Sequence, residues 1–322
     1  MIAFPFILGE RDNLALLPNQ CGPFTLTKIP IQETKISLAE SLQRELSERA
    51  IGQVATDIQV ARFARLLNLA NGYCYGGGMG MPEWVMLDCA LLPACFIGWM
   101  TPAVTLKEDI RAQLNQALEQ SEAQRSTSRV EMERRIHTPI GPLHDTSVLS
   151  EWVPTSEFCS IPRLGGQEVV GYSLYSLTRG LGVRAKALGL WVMSHLGITA
   201  QLGVAQRHNF LALRTHLRFG PLELVDPMTP LHTQAGDSII YRLLLPPREQ
   251  LKAMALGQIS SYQPPLNEGQ GISPHALEWV EAQDCVQWLA LRSLTQQRVW
   301  IHQVKRQDHH IWIALHRESN IT

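Results

Sequence analysis

The residues Arg179-Gly180-Leu181-Gly182-Val183-Arg184 come closest to carrying chemistry by type and spacing alone. An alternating, β-favouring run, 172–178, leads straight into them, and a helix-forming run through Leu188 follows. Glycines at this position allow a tight turn and let a ligand approach the backbone amides. The first amides of a helix have no intrahelical partner, and the helix dipole favours negative charge beside them. Arg179 and Arg184 add donors for charge-assisted hydrogen bonds, so the expected ligand is a phosphate or pyrophosphate. A dinucleotide fingerprint would need Gly-x-Gly-x-x-Gly, and here the last position is Ala185. A second glycine run, Gly76-Gly77-Gly78-Met79-Gly80, lacks a following Lys-Ser/Thr and reads as a flexible connector.

The elements that must position this turn are legible as alternating β and α segments. Strands are expected at 24–29, 84–92, 94–100, 157–161, 169–177, 199–205, 222–225 and 238–245. Helices are expected from a capping box at Ser37 and Glu40 onward, and at 57–69, 107–136, 183–196 and 209–218. Residues 248–265 read as a Pro-bounded connector. The tail is expected to be a helix over 275–294, with Ser273 as cap and Pro274 in its first turn. A hairpin of 298–304 and 310–315, turning at 305–308, completes it.

Composition narrows the classes of partner. The 322 residues are 45% hydrophobic and 18% charged, with a net charge of −1. That is enough apolar material for a sizeable core and provides no overall basic field for nucleic acid or an anionic membrane. Residues 1–9 are apolar but carry no basic region, and no run approaches the length of a membrane span, so a cytoplasmic protein is expected. The cysteines, at 21, 74, 89, 95, 159 and 285, form no Cys-x-x-Cys pair and read as free, mostly buried thiols. Cys159, beside Glu157, has no base partner that a motif identifies, so a structural thiol is expected. His302, His309, His310 and His316 cluster with Asp308, but their spacing matches no closed zinc site, and no metal is expected. Trp300 and Trp312 should pack the hairpin against Trp279 or Trp288.

Downstream of the glycine turn comes a second pattern. A strand leads into Asn209-Phe-Leu-Ala212-Leu213, with His216, Arg218, Gly220 and Pro221 following at fixed spacing. Together the two patterns resemble the GNAT superfamily of N-acyltransferases. Its pyrophosphate signature, Arg/Gln-x-x-Gly-x-Gly/Ala, is matched by Arg179 to Arg184 except at the sixth position, where Arg184 replaces a small residue. Its second signature, Asn-x-x-Ala-Ile/Leu followed by a Tyr, a basic residue and Gly-Phe, is matched by Asn209, Ala212, Leu213, Arg218 and Gly220. His216 stands in the Tyr slot, and Pro221 in the Phe slot. The likeness covers about 75 residues.

This resemblance implies an α/β (α+β) fold with a mixed, mostly antiparallel sheet flanked by helices. Residues 1–105 would supply the early strands, or a separate or degenerate half. Residues 106–150 would be a helical insertion, 151–247 the acyl-CoA-binding core, and 266–322 an α-β-β appendage. The implied reaction is direct attack of an amine of a small molecule or peptide on acetyl-CoA or another acyl-CoA. The backbone at Leu174 and Ser176 would pair with the pantetheine arm. The amides of Gly180, Leu181, Gly182, Val183, Arg184 and Ala185 would hold the pyrophosphate, with Arg179 beside them and Asn209 near the cofactor arm. His216 would protonate the departing thiolate. Glu157, in a strand just upstream, is the candidate base, ahead of Glu168 and Asp88. Two other readings stay open: a non-catalytic CoA- or partner-binding protein on this fold, and an acyl carrier protein as donor.

Overall fold

The computed structural model describes residues 3–10, 20–21, 24–25, 27–31, 57–74, 89, 92, 95–136, 152–163, 166–225, 238–262, 277–284 and 298–318. The chain forms two compact units. One comprises Met1–Ser160 and Ser173–Val192, the other Ile161–Tyr172 and Met193–Thr322.

In the first unit the strands β1 (Phe4–Glu10), β4 (Thr27–Ile31), β5 (Phe96–Pro102) and β6 (Trp152–Pro162) lie in the order β4-β1-β5-β6. β1 runs parallel to β4 and antiparallel to β5, and β5 is antiparallel to β6. A small pair, β2 (Gln20–Cys21) with β3 (Phe24–Thr25), stands apart from them. Consecutive residues Phe6, Ile7 and Leu8 are all buried, as a strand covered on both faces requires. Helix α1 (Asp57–Cys74) buries Phe63, Leu66, Leu67 and Ala70, a helical spacing, and Phe63 meets Phe6 edge-on at 5.0 Å. Helix α2 (Glu108–Ile136) buries Leu114 and Leu118 and accepts Arg65 of α1 on Ser121 Oγ at 2.8 Å. It runs unbroken to Ile136, as expected.

In the second unit the strand order is β7-β8-β10-β9-β12-β13-β11. These are β7 (Glu168–Ser176), β8 (Ala200–Gln206), β9 (Leu222–Leu224), β10 (Ser238–Leu244), β11 (Glu278–Glu281), β12 (Arg298–Gln307) and β13 (His310–Glu318). The β7–β8 pair is parallel, and the other pairs are antiparallel. The end of β7 from Ser173 and helix α3 (Leu181–His195) as far as Val192 belong to the first unit, and in the second α4 (Phe210–His216) follows β8. Each unit is therefore mixed and mostly antiparallel, with helices, as expected. No helix among the described residues is long and apolar enough to cross a membrane.

Several expectations need correction. Glu278–Glu281, expected in a helix, is a strand paired with β13, followed by a 3-10 turn at Ala282–Asp284. Val280 is buried while its neighbours Trp279 and Glu281 are only half-buried, and this alternation was hidden inside a longer run of helix formers. Among the described residues the appendage presents three strands, and the rest of the expected helix, 285–294, lies outside them. Residues 248–265 are not simply a connector, because α5 (Arg248–Leu256) forms there. Pro247 caps it and Gly257 ends it in the left-handed region at φ 76°, the usual Pro-before and Gly-after asymmetry. The hairpin strands run longer than expected, to a two-residue turn at Asp308 and His309. Both have positive φ, which matches the twist of the flanking strands. Of the strand expected at 84–92, Cys89 is helical and most of the rest lies outside the described residues. The helix expected after Ser37, Asp88 and the glycine run at 76–80 also lie outside them.

An ion-pair ladder crosses the second unit. Arg163 donates to Glu168 at 3.0 Å, Arg242 to the other Glu168 oxygen at 2.7 Å, and Arg298 makes two 2.9 Å bonds to Glu223. Arg242 also lies 3.7 Å from Glu223, so β7, β10, β9 and β12 share one run of alternating charge. Glu223 is buried, and its loss would remove both carboxylate bonds of Arg298 and leave Arg242 with Glu168 alone. Glu223→Ala should therefore cost about 2 kcal/mol in urea unfolding, against about 0.5 kcal/mol or less for Arg163→Ala at the exposed end. Equal effects would mean that the ladder does not act as a buried unit.

Candidate functional site

The glycine turn is built as the sequence suggests. β7 ends at Ser176, whose Oγ donates to Thr178 O at 2.5 Å, and the Leu181 amide bonds Thr178 O at 3.2 Å to start α3. Gly180 has φ 88°, a conformation that side chains rarely adopt, and it is exposed together with Arg179. A Cβ on Gly182 would sit 3.3 Å from Ser176 Cβ, so the first turn of the helix lies against the end of its own strand. Leu181 and Ala185 are buried, while Gly182, Val183 and Arg184 are half-buried. Leu174 and Ser176 are likewise half-buried, and Leu177 N bonds Thr155 O at 2.8 Å. Arg184 does not lie free over the turn. Its guanidinium stacks on the Trp99 ring at 4.2 Å, and burial lowers its pKa.

Glu157 is fully buried on β6. It stands opposite Gly98 of β5, where an added Cβ would come within 2.0 Å of Ser156 O and 2.9 Å of Glu157 Cα. Ser173 Oγ donates to its Oε1 at 3.2 Å, and its Oε2 has no hydrogen-bond partner among the described residues. Burial pushes the carboxyl up to about 8, with Ser173 pulling weakly the other way and Cys89 adding to the rise. Glu157 is therefore mostly protonated at neutral pH and becomes a base as the pH approaches 8. The ionisable groups acted on by its charge are Cys74 at the end of α1, Cys95, Cys159 and Tyr175, each with a raised pKa of its own. Cys74 also takes a hydrogen bond from the Ser176 backbone.

These residues, Glu157, Leu174, Ser176 and 179–185, belong to the first unit; Asn209 and His216 belong to the second. Asn209 is the N-cap of α4, its side chain accepting from Ala212 N at 3.0 Å. The Asn-x-x-Ala spacing is thus the geometry of a cap. His216 ends α4, buried, with its ring 5.0 Å from that of Tyr241. Glu168 serves the ion-pair ladder. The β7–β8 ladder pairs Glu168 to Val170 with Ala200 to Leu202.

Sequence reasoning missed Ser173, which an alternating strand gives no reason to single out, and Lys186. Lys186 sits in an Arg-Ala-Lys-Ala run that reads as solvent-facing, yet it is fully buried, and burial lowers its pKa well below the usual value. In the hairpin, His302 and His316 meet edge-on at 5.8 Å, and burial beside His316 lowers His302 to about 4. His310 bonds Glu281. Among the described residues no group of three or more His, Cys, Asp or Glu is arranged to hold a metal ion. No family model, curated protein or solved structure matches the chain.

The Glu157 carboxyl makes stability depend on pH in a defined direction. The folded group keeps its proton to about pH 8, whereas the ordinary value is 4.5. Its contribution is full below pH 4.5 and is lost as pH rises through 8, a change of roughly 5 kcal/mol at most. Urea unfolding of wild type should weaken over that window relative to Glu157→Gln, and Ser173→Ala should move the loss to higher pH. Parallel pH profiles for wild type and Glu157→Gln would refute the shifted carboxyl.

Proposed function

We propose that the chain is an acyl-CoA-dependent N-acyltransferase of the GNAT type, moving an acetyl or longer acyl group to an amine of a small molecule or peptide. The observation that carries this reading is the β7–Arg179-Gly180-Leu181-Gly182–α3 connection. It is a strand ending in an exposed left-handed glycine, with a helix N-terminus directly after it. Such a turn suits a pyrophosphate held by the amides of 180–185, with Arg179 contributing charge. The strand backbone at Leu174 and Ser176 leads to the turn and suits the pantetheine arm.

Glu157 suits the role of base. A buried carboxyl with one oxygen unpartnered among the described residues and a pKa near 8 takes a proton from an amine more readily than an ordinary carboxylate. On this reading the amine attacks the thioester carbonyl directly, Glu157 removes its proton, and the CoA thiolate leaves. Positioning of the two substrates supplies much of the rate. His216, buried at the end of α4 with its ring 5.0 Å from that of Tyr241, is the proposed donor of a proton to that thiolate.

Calorimetry with acetyl-CoA and longer acyl-CoA esters tests the reading. Wild type should bind in the micromolar range. Gly182→Trp, which drives a large side chain towards Ser176, should abolish binding while a thermal melt reports whether the protein is still folded. Amine acylation should rise with pH towards 8 and fall at least 100-fold in Glu157→Gln. Binding of CoA without turnover on any amine would favour a non-catalytic role, and no binding of any acyl-CoA would favour a carrier-protein donor.

A further inference from the structure

Three thiols meet in the core of the first unit, away from the glycine turn. Cys95 Sγ and Cys159 Sγ lie 3.5 Å apart, and both side chains are fully buried. Cys89, 6% exposed, is within hydrogen-bond reach of each. Cys159 lies in β6 opposite Phe96, and Cys95 directly precedes β5, its carbonyl accepting from Ser160 N at 3.0 Å. The sulfurs therefore sit across neighbouring strands, and a bond needs an approach of about 1.5 Å to reach the usual S–S length of about 2.05 Å.

We propose that Cys95 and Cys159 form a reversible disulfide in the folded protein when it meets a small two-electron oxidant such as hydrogen peroxide, with Cys89 as the third member of an exchanging set. The inference does not depend on the acyltransferase reading. Peroxide oxidises one sulfur to a sulfenic acid and leaves as water. A second thiol attacks that sulfur, the S–S bond forms, and the hydroxyl leaves with the thiol proton as a second water. Two thiols thus lose two electrons and two protons, and one peroxide becomes two waters. Cys89, the third thiol of the cluster, can exchange onto the bond by attack on either sulfur. Burial raises the Cys95 and Cys159 thiols well above their ordinary value, so the step is slow at neutral pH and accelerates in alkali. The bond forms two residues from Glu157, on the same face of β6.

The test treats the folded full-length chain with graded hydrogen peroxide, traps remaining thiols with a maleimide, and maps linked peptides by mass spectrometry. The expected product is a single Cys95–Cys159 link that dithiothreitol reverses. It should persist in Cys74→Ser, which removes an exposed thiol outside the cluster. In Cys159→Ser the link should move to Cys89–Cys95. A thermal melt of the treated sample, run before mapping, reports that the protein stayed folded. Links that involve Cys74, that appear only after unfolding in urea, or that never appear would each overturn the proposal.

Discussion

The closeness with which backbone approaches β6 is the constraint on which the first unit depends. On one side Gly98 of β5 lies so near that a Cβ would meet Ser156 O at 2.0 Å. Gly189 of α3 lies so near Phe158 that a Cβ would be 2.4 Å from the ring. Neither contact tolerates a side chain. Together they press a strand and a helix onto β6, where Glu157 is fully buried. The raised carboxyl, its bond to Ser173 and the thiols around it all follow from that compression.

The same low-dielectric interior acts on ionisable groups of both signs. Burial raises the carboxyl of Glu157 and lowers the ammonium of Lys186, so each is driven towards its neutral form. Neutral forms are cheaper to hold without full solvation. Both shifts have one physical cause, the removal of water from around β6 and α3.

The second unit solves a different problem. Its strands carry charge on a face, and alternation of Arg163, Glu168, Arg242, Glu223 and Arg298 gives each buried or half-buried charge an opposite neighbour. Where the charges stop, aromatic rings take over. Arg298 stacks on Trp300 and Lys305 on Trp279. Tyr241 covers the backbone of Gly203, where a Cβ would lie 2.2 Å from its ring.

Local signals were sufficient for several features. The glycine turn and most elements from 152 to 244 were legible, because turn glycines and periodicity act within a few residues, whereas Asn209, expected near a cofactor arm, is the cap of α4. The strand at 278–281 was not, because its residues accept either state and pairing with β13 decides between them. Glu157 could be named from its strand, but not its proton affinity, which depends on Gly98, Ser173 and Cys89 arriving from distant parts of the chain. Arg184 reads as a phosphate ligand in sequence, and only the tertiary structure sets it on Trp99. Sequence determined where the backbone turns and begins its helices. Burial, and with it the charge state of each ionisable side chain, was decided by which segments pack together, since desolvation is a property of the surroundings and not of the residue.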